Sequence, residues 1–355
     1  MYRFRSDLEN AEYLVDINVP HLKHMMCLNE SWENPWALLR HDLIRRIDGV
    51  NLNRYYDPVT AELKSSLASY FGHGITPANL AFGNGADEML YFIFTAVREN
   101  KGNYALSLAP SYFDYTSYCT SVGLGVKYCD LNENFKFDPV KYIALSEDPE
   151  CRLCILCNPN NPTGNLFPSE DLEYVLQNTH KPVLLDETYF EFSGVSFADK
   201  LSKYPNLIIV RSFSKAFASA GLRFGYMVSS EENIREISKT MTAFHSSLLI
   251  QCFALVMLEN LDVFRKLVAM TIDGRDYILK SLLEIDGVKA LETSTNFTPF
   301  RIGNRTKDLF EFLKTRDFAV RLVGNHPSFT EYLRVTPQSP AINRKFICTV
   351  KEFAG

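Results

Sequence analysis

The sequence has no run of 18 apolar residues, the length a helix needs to cross a bilayer, so no spanning helix is expected. It has no cluster of basic residues, and 37 lysines and arginines against 42 acidic residues give a net charge of -5. That balance argues against a nucleic-acid partner, because such binding rests on concentrated positive charge. The opening residues, Met1-Tyr-Arg-Phe-Arg-Ser-Asp-Leu-Glu9, lack the apolar core of a secretory signal. Internal repeats and low-complexity linkers are missing too. The eight cysteines do not form the dense framework of a small disulfide-stapled protein, and a reducing cytoplasm is the expected setting. Cys151, Cys154 and Cys157 are spaced by three within a strand-like run. Side chains three apart on a strand point to opposite faces, so these sulfurs are expected not to converge on a metal. With 46% hydrophobic residues, the 355-residue chain can fill one large domain and a smaller one.

What is present is an alternation of short apolar runs with helical patterns. Residues 104–109, 126–131, 153–157, 183–186 and 207–210 read as strands. Residues 86–98, 170–177 and a long stretch over 231–260 read as helices. This order predicts an α/β domain with a mainly parallel sheet. The tail reads differently, with strands at 297–302 and 332–335 around a helix at 307–315. The expected organisation is a large domain over 36–255 and a smaller α+β domain built from 1–35 and 256–355. The two are expected to pack closely, with a long helix crossing between them.

Three of the strands end in polar residues: Cys157-Asn-Pro-Asn-Asn-Pro-Thr-Gly164, Leu184-Leu-Asp-Glu-Thr-Tyr189 and Ser212-Phe-Ser-Lys215. Ligands of open parallel sheets bind beyond the carboxyl ends of the strands, so Asn161, Asp186, Tyr189 and Lys215 should face one crevice. A lysine delivered there, between two serines and eight residues before Arg223, suits an aldehyde cofactor that carries a phosphate. Pyridoxal phosphate is such a cofactor. Lys215 would form its Schiff base, and Asp186 would keep its ring nitrogen protonated. Asn161 and Tyr189 would donate to its phenolate oxygen. Ser212, Ser214 and Arg223 would hold its phosphate. A second phosphate device is Phe82-Gly-Asn-Gly-Ala-Asp-Glu88, a glycine-rich turn feeding a helix, where Gly85, Ala86 and Asp87 would form an anion cradle. Alone, that turn also fits an ordinary helix start.

Taken together these segments resemble the class I/II aminotransferases of pyridoxal phosphate fold type I, and within them the histidinol-phosphate aminotransferase branch. The matching stretches include Glu33-Asn-Pro-Trp36, Asn53-Arg-Tyr-Tyr-Asp-Pro58, Gly83–Glu88, Ala109-Pro-Ser-Tyr112, Pro159-Asn-Asn-Pro-Thr-Gly164, Asp186-Glu-Thr-Tyr189, Ser212–Gly225, Asn296-Phe297 and Leu333-Arg-Val335. The resemblance implies further roles. Tyr112 would stack on the cofactor ring. Tyr55 would reach the cofactor phosphate of a neighbouring subunit, which implies a homodimer with shared active sites. Arg334 would clamp the substrate carboxylate, Arg321 would meet a distal phosphate, and Asn34 would contact substrate. Pro110 and Pro162 fall where the family can have cis peptide bonds. The chain departs from the branch at Tyr56, over Glu12-Tyr-Leu-Val15, and in Pro337-Gln-Ser-Pro340. The resemblance would place these departures around the substrate rather than the cofactor.

The expected activity is transamination, in a cytoplasmic enzyme of amino-acid biosynthesis. Glutamate would donate to a small, phosphorylated keto acceptor, with imidazole-acetol phosphate the default, and Lys215 would be the base. Two alternatives stand beside it: a decarboxylase of a phosphorylated amino acid, and a non-catalytic nucleotide-binding module built on Gly83–Glu88.

Overall fold

A computed structural model describes residues 5, 8, 22–55, 58–324 and 326–355. Tyr56 and the stretch 12–15 lie outside them. The described chain begins with strand β1 (His24–Met25), helix α1 (Pro35–Asp48) and helix α2 (Val59–Phe71). Then comes the alternation expected of an α/β domain: β2 (Leu80–Gly83), α3 (Ala86–Val97), β3 (Tyr104–Ala109), α4 (Asp114–Val122), β4 (Gly125–Asp130), α5 (Pro139–Ser146), β5 (Cys151–Cys157), α6 (Ser169–Asn178), β6 (Val183–Asp186), the short α7 (Phe190–Ser193), β7 (Leu207–Ser212) and β8 (Gly225–Val228). Helices α8 (Glu231–Ser238), α9 (Leu248–Glu259) and α10 (Leu261–Leu283) lead on. The last part holds β9 (Val288–Ala290), β10 (Thr298–Ile302), α11 (Thr306–Thr315), β11 (Phe318–Ala319), β12 (Arg321–Val323), β13 (Tyr332–Val335) and α12 (Pro340–Ala354).

The large sheet has seven strands in the order β2-β8-β7-β6-β5-β3-β4. The pairs among β3 to β7 are parallel, and β8 runs antiparallel to both β2 and β7. Its central strands read as continuous apolar runs because both faces are covered. Val183, Leu185, Leu207 and Ile209 enter one core, while Leu184, Ile208, Val210 and Ile155 enter the other. Cys157 lies on the second face. Cys151 and Cys154 share the first, against the simple alternation, because the pairing of β3 with β5 shifts register between Tyr104 and Ala105. A separate antiparallel sheet, β12-β13-β10-β9, has its own core of Ile278, Leu282, Phe300, Leu309, Leu333 and Phe346.

The single helix expected over 231–260 is two helices. They are separated by residues 239–247, where Phe244 takes a left-handed φ of 54° and the Ser247 side chain caps α9 by accepting the Leu249 N–H. The long helix is the next one, α10, with 23 residues.

Candidate active site

Register brings the chemistry together. Cys157 pairs with Asp186 across β5 and β6, and β7 lies alongside, so the loops leaving these strands emerge side by side. They open on a cavity of about 390 Å³, within the usual range for small-molecule sites. Asn161, Asp186, Tyr189, Ser212, Ser214, Lys215, Arg223, Ala86, Asp87, Tyr112, Arg321 and Arg334 all line it.

The partly buried Lys215 donates from Nζ to the Leu28 carbonyl at 3.0 Å. Burial, helped by the nearby Arg334 charge, lowers its pKa to about 8. Asp186 is buried; Thr188 donates to its Oδ1 and Tyr115 to its Oδ2. Burial raises its pKa, and those hydrogen bonds work the other way. The Tyr189 hydroxyl accepts from Asn29 Nδ2 at 2.8 Å, and burial pushes this phenol up.

An anion end lies at the start of α3. Ala86 and Asp87 occupy its first turn, where N–H groups have no partner within the helix. Arg223, itself in a left-handed conformation, donates to Asp87 Oδ2 at 2.6 Å. Gly85 stands behind the cavity wall as the residue that caps α3, with φ 89°. A Cβ there would come 2.7 Å from Arg223 Nη2, so the missing side chain is what lets the guanidinium lie against this turn. Arg334, on β13, donates to Asn161 Oδ1 at 2.7 Å and to the Cys27 carbonyl at 3.2 Å, while its buried Nε has no partner among the described residues. Arg321 pairs with Arg334 in the β12–β13 ladder, and its side chain makes no hydrogen bond or ion pair among the described residues. The Ala109–Pro110 and Asn161–Pro162 peptides are cis, as is Asn158–Pro159.

Pyridoxal phosphate fits this donor set. A lysine amine, a buried carboxylate and an anion cradle share one cavity of adequate volume, and beyond them two arginines retain donors for an acidic substrate.

Besides Gly85, two expected residues do not line the cavity. Asn34 does not line the cavity of this chain: its Oδ1 accepts the Trp36 N–H and starts α1, which accounts locally for the Asn-Pro pair. Tyr55 stands out from the surface, 80% exposed and stacked on Phe244 at 5.0 Å. Conversely, Leu28, Asn29, Thr188 and Tyr115 take part and were not foreseen. Thr188 lay inside the quoted Asp-Glu-Thr-Tyr motif. The others carried no local signal, since they come from distant segments that only the fold brings in.

The family model for aminotransferase class I and II matches residues 33–348. The chain belongs to that family. It is 33% identical over 294 residues to the histidinol-phosphate aminotransferase of Clostridium novyi, covering 83% of this chain and 82% of that protein. The enzyme of the same name from Caldanaerobacter subterraneus subsp. tengcongensis is 32% identical over 338 residues, 94% of each chain. Among solved structures, the histidinol-phosphate aminotransferase of Sinorhizobium meliloti in complex with pyridoxal-5'-phosphate superposes with a TM-score of 0.87 at 22% identity, covering 99% of this chain and 97% of that one. This class I/II aminotransferase is therefore an enzyme, a pyridoxal-phosphate-dependent transaminase of fold type I. That removes the non-catalytic module from consideration.

Proposed function

We propose that the enzyme moves an amino group from glutamate to a small phosphorylated ketone, with imidazole-acetol phosphate the leading acceptor, and that it does so as a cytoplasmic homodimer in amino-acid biosynthesis. The observation that carries the substrate reading is the pair Arg321 and Arg334 on one wall of the cavity that holds Lys215 and Asp186. Two guanidiniums suit a substrate with an acidic group at its end. The kinship to histidinol-phosphate aminotransferases supports the same choice.

Bound pyridoxal phosphate supplies an electron sink and an aldehyde that carries the amino group. Ala86, Asp87, Ser212, Ser214 and Arg223 hold its phosphate, and Tyr112 covers its ring. Asp186 holds the proton on the ring nitrogen. Asn161 and Tyr189 orient the ring through its phenolate oxygen. Lys215 moves the proton at the substrate's Cα, a task for which an amine with a pKa near 8 is better matched than an ordinary lysine. Arg334 grips the carboxylate of glutamate.

Tyr55, exposed and outside the cavity of its own chain, supports the dimer reading, in which it would serve the partner's site. The test is to incubate the enzyme separately with histidinol phosphate and with a phosphorylated amino acid, each with and without 2-oxoglutarate, measuring glutamate formed and carbon dioxide released. Glutamate without carbon dioxide supports the proposal. Carbon dioxide from a phosphorylated amino acid, with no 2-oxoglutarate dependence, replaces it with the decarboxylase.

A further inference from the structure

Asp186 receives a hydrogen bond from outside its own turn. Its Oδ1 accepts the Thr188 N–H at 3.0 Å and the Thr188 hydroxyl at 2.7 Å, both from two residues on. Its Oδ2 accepts the Tyr115 hydroxyl at 2.7 Å, across 71 residues of sequence. Tyr115 lies on α4 and is 1% exposed. Its ring meets that of Tyr112 edge-on, with centroids 5.2 Å apart and planes at 87°. One turn of chain thus presents Tyr112 to the cavity and braces the acid beneath it.

We infer that Tyr115 is a positioning residue for the reaction: it fixes the orientation of the Asp186 carboxylate and keeps it ionised in a buried setting. The inference rests on the reading of Asp186 as the partner of the cofactor's ring nitrogen. Burial pushes this carboxyl toward its neutral form, and a neutral acid there would be a poor partner for a protonated ring. A donor aimed at the carboxylate opposes that drift. The phenol itself stays protonated, because burial and the adjacent Asp186 both push its pKa up. It is a permanent donor, and its bond to an anion in a dry interior is of the stronger kind. Thr188 belongs to the turn it bonds and moves with it, whereas Tyr115 ties the carboxylate to a separate helix.

The test compares cofactor uptake by four proteins freed of pyridoxal phosphate: the parent, Tyr115→Phe, Asp186→Ala and the double variant. Phenylalanine keeps the ring against Tyr112 and removes only the hydroxyl. Affinity for pyridoxal phosphate should fall about tenfold in the parent background, the usual scale for one charge-assisted hydrogen bond. It should change less than about twofold in the Asp186→Ala background, where the acceptor is gone. The pH midpoint of the bound cofactor's visible absorption should also move in Tyr115→Phe. Placing 3,5-difluorotyrosine at 115, a stronger donor of nearly the same shape, should move that midpoint the opposite way. It provides the same test if Tyr115→Phe does not fold. An unmoved midpoint, or an equal loss of affinity in both backgrounds, would leave Tyr115 a packing residue and overturn the inference. A parent that takes up no pyridoxal phosphate overturns the cofactor reading itself.

Discussion

Lys215 is a partly buried amine next to a guanidinium, and its pKa of about 8 follows from both. Below that pH the amine is protonated and unreactive; above it the free base predominates. In protein freed of cofactor, carbamoylation of Lys215 by cyanate, read by peptide mapping, should therefore rise with a midpoint near pH 8. A midpoint near the ordinary lysine value of 10.5 would contradict the assignment. Lys215→Ala should abolish turnover while the protein remains folded by circular dichroism. Arg334→Lys keeps the charge but loses the fork that holds Asn161 and the Cys27 carbonyl, and with it the unpartnered Nε proposed to meet the substrate. The KM for glutamate should rise about 30-fold, with kcat less affected, in steady-state assays.

At the scale of elements, the site depends on how tightly β8 meets the start of α3. A Cβ at Gly225 would lie 2.2 Å from the Ala86 nitrogen and 2.4 Å from the Gly85 carbonyl carbon, both main-chain atoms that cannot swing aside. Gly225→Ala should therefore cost about 3 kcal/mol or more in urea unfolding, at or beyond the upper end of ordinary overpacking. The central strands were legible in the sequence because strands buried on both faces become uninterrupted apolar runs. Strands β2 and β8 were not: each is four residues long and carries a glycine at one end, Gly83 or Gly225, beside a motif with its own claim on attention. The misread helix has a similar cause. Leu-Leu-Ile-Gln-Cys-Phe-Ala-Leu-Val-Met-Leu-Glu of α9 is apolar almost all round, so it offers no periodicity that marks a boundary. The motif residues of the site were visible because their types at strand ends are chemically unusual. Tyr115 and Asn29 were not, since one more tyrosine among 18, or one asparagine in a loop, gains meaning only from a contact across the fold.

For the whole molecule, the exposed, stacked pair Tyr55 and Phe244 is a surface that the second copy of the proposed homodimer would cover. Sedimentation equilibrium should give a dimer. If Tyr55 serves the partner's site, Tyr55→Ala and Lys215→Ala should complement each other. Random reassortment makes half the dimers mixed, each with one intact site, so about a quarter of parental activity should return on mixing the two weak proteins. No recovery, with exchange of subunits verified, would confine Tyr55 to its own chain.

Arg334 and Arg321 share a cavity wall but differ in their ties. Any change at 334 strands the Asn161 amide oxygen and the main-chain carbonyl of Cys27, and so disturbs two remote stretches at once. The Arg321 side chain has no hydrogen bond or ion pair among the described residues, though its strand pairs with that of Arg334. If Arg321 meets the acceptor and Arg334 the amino donor, as proposed, selection for a new acceptor should find its earliest steps at 321.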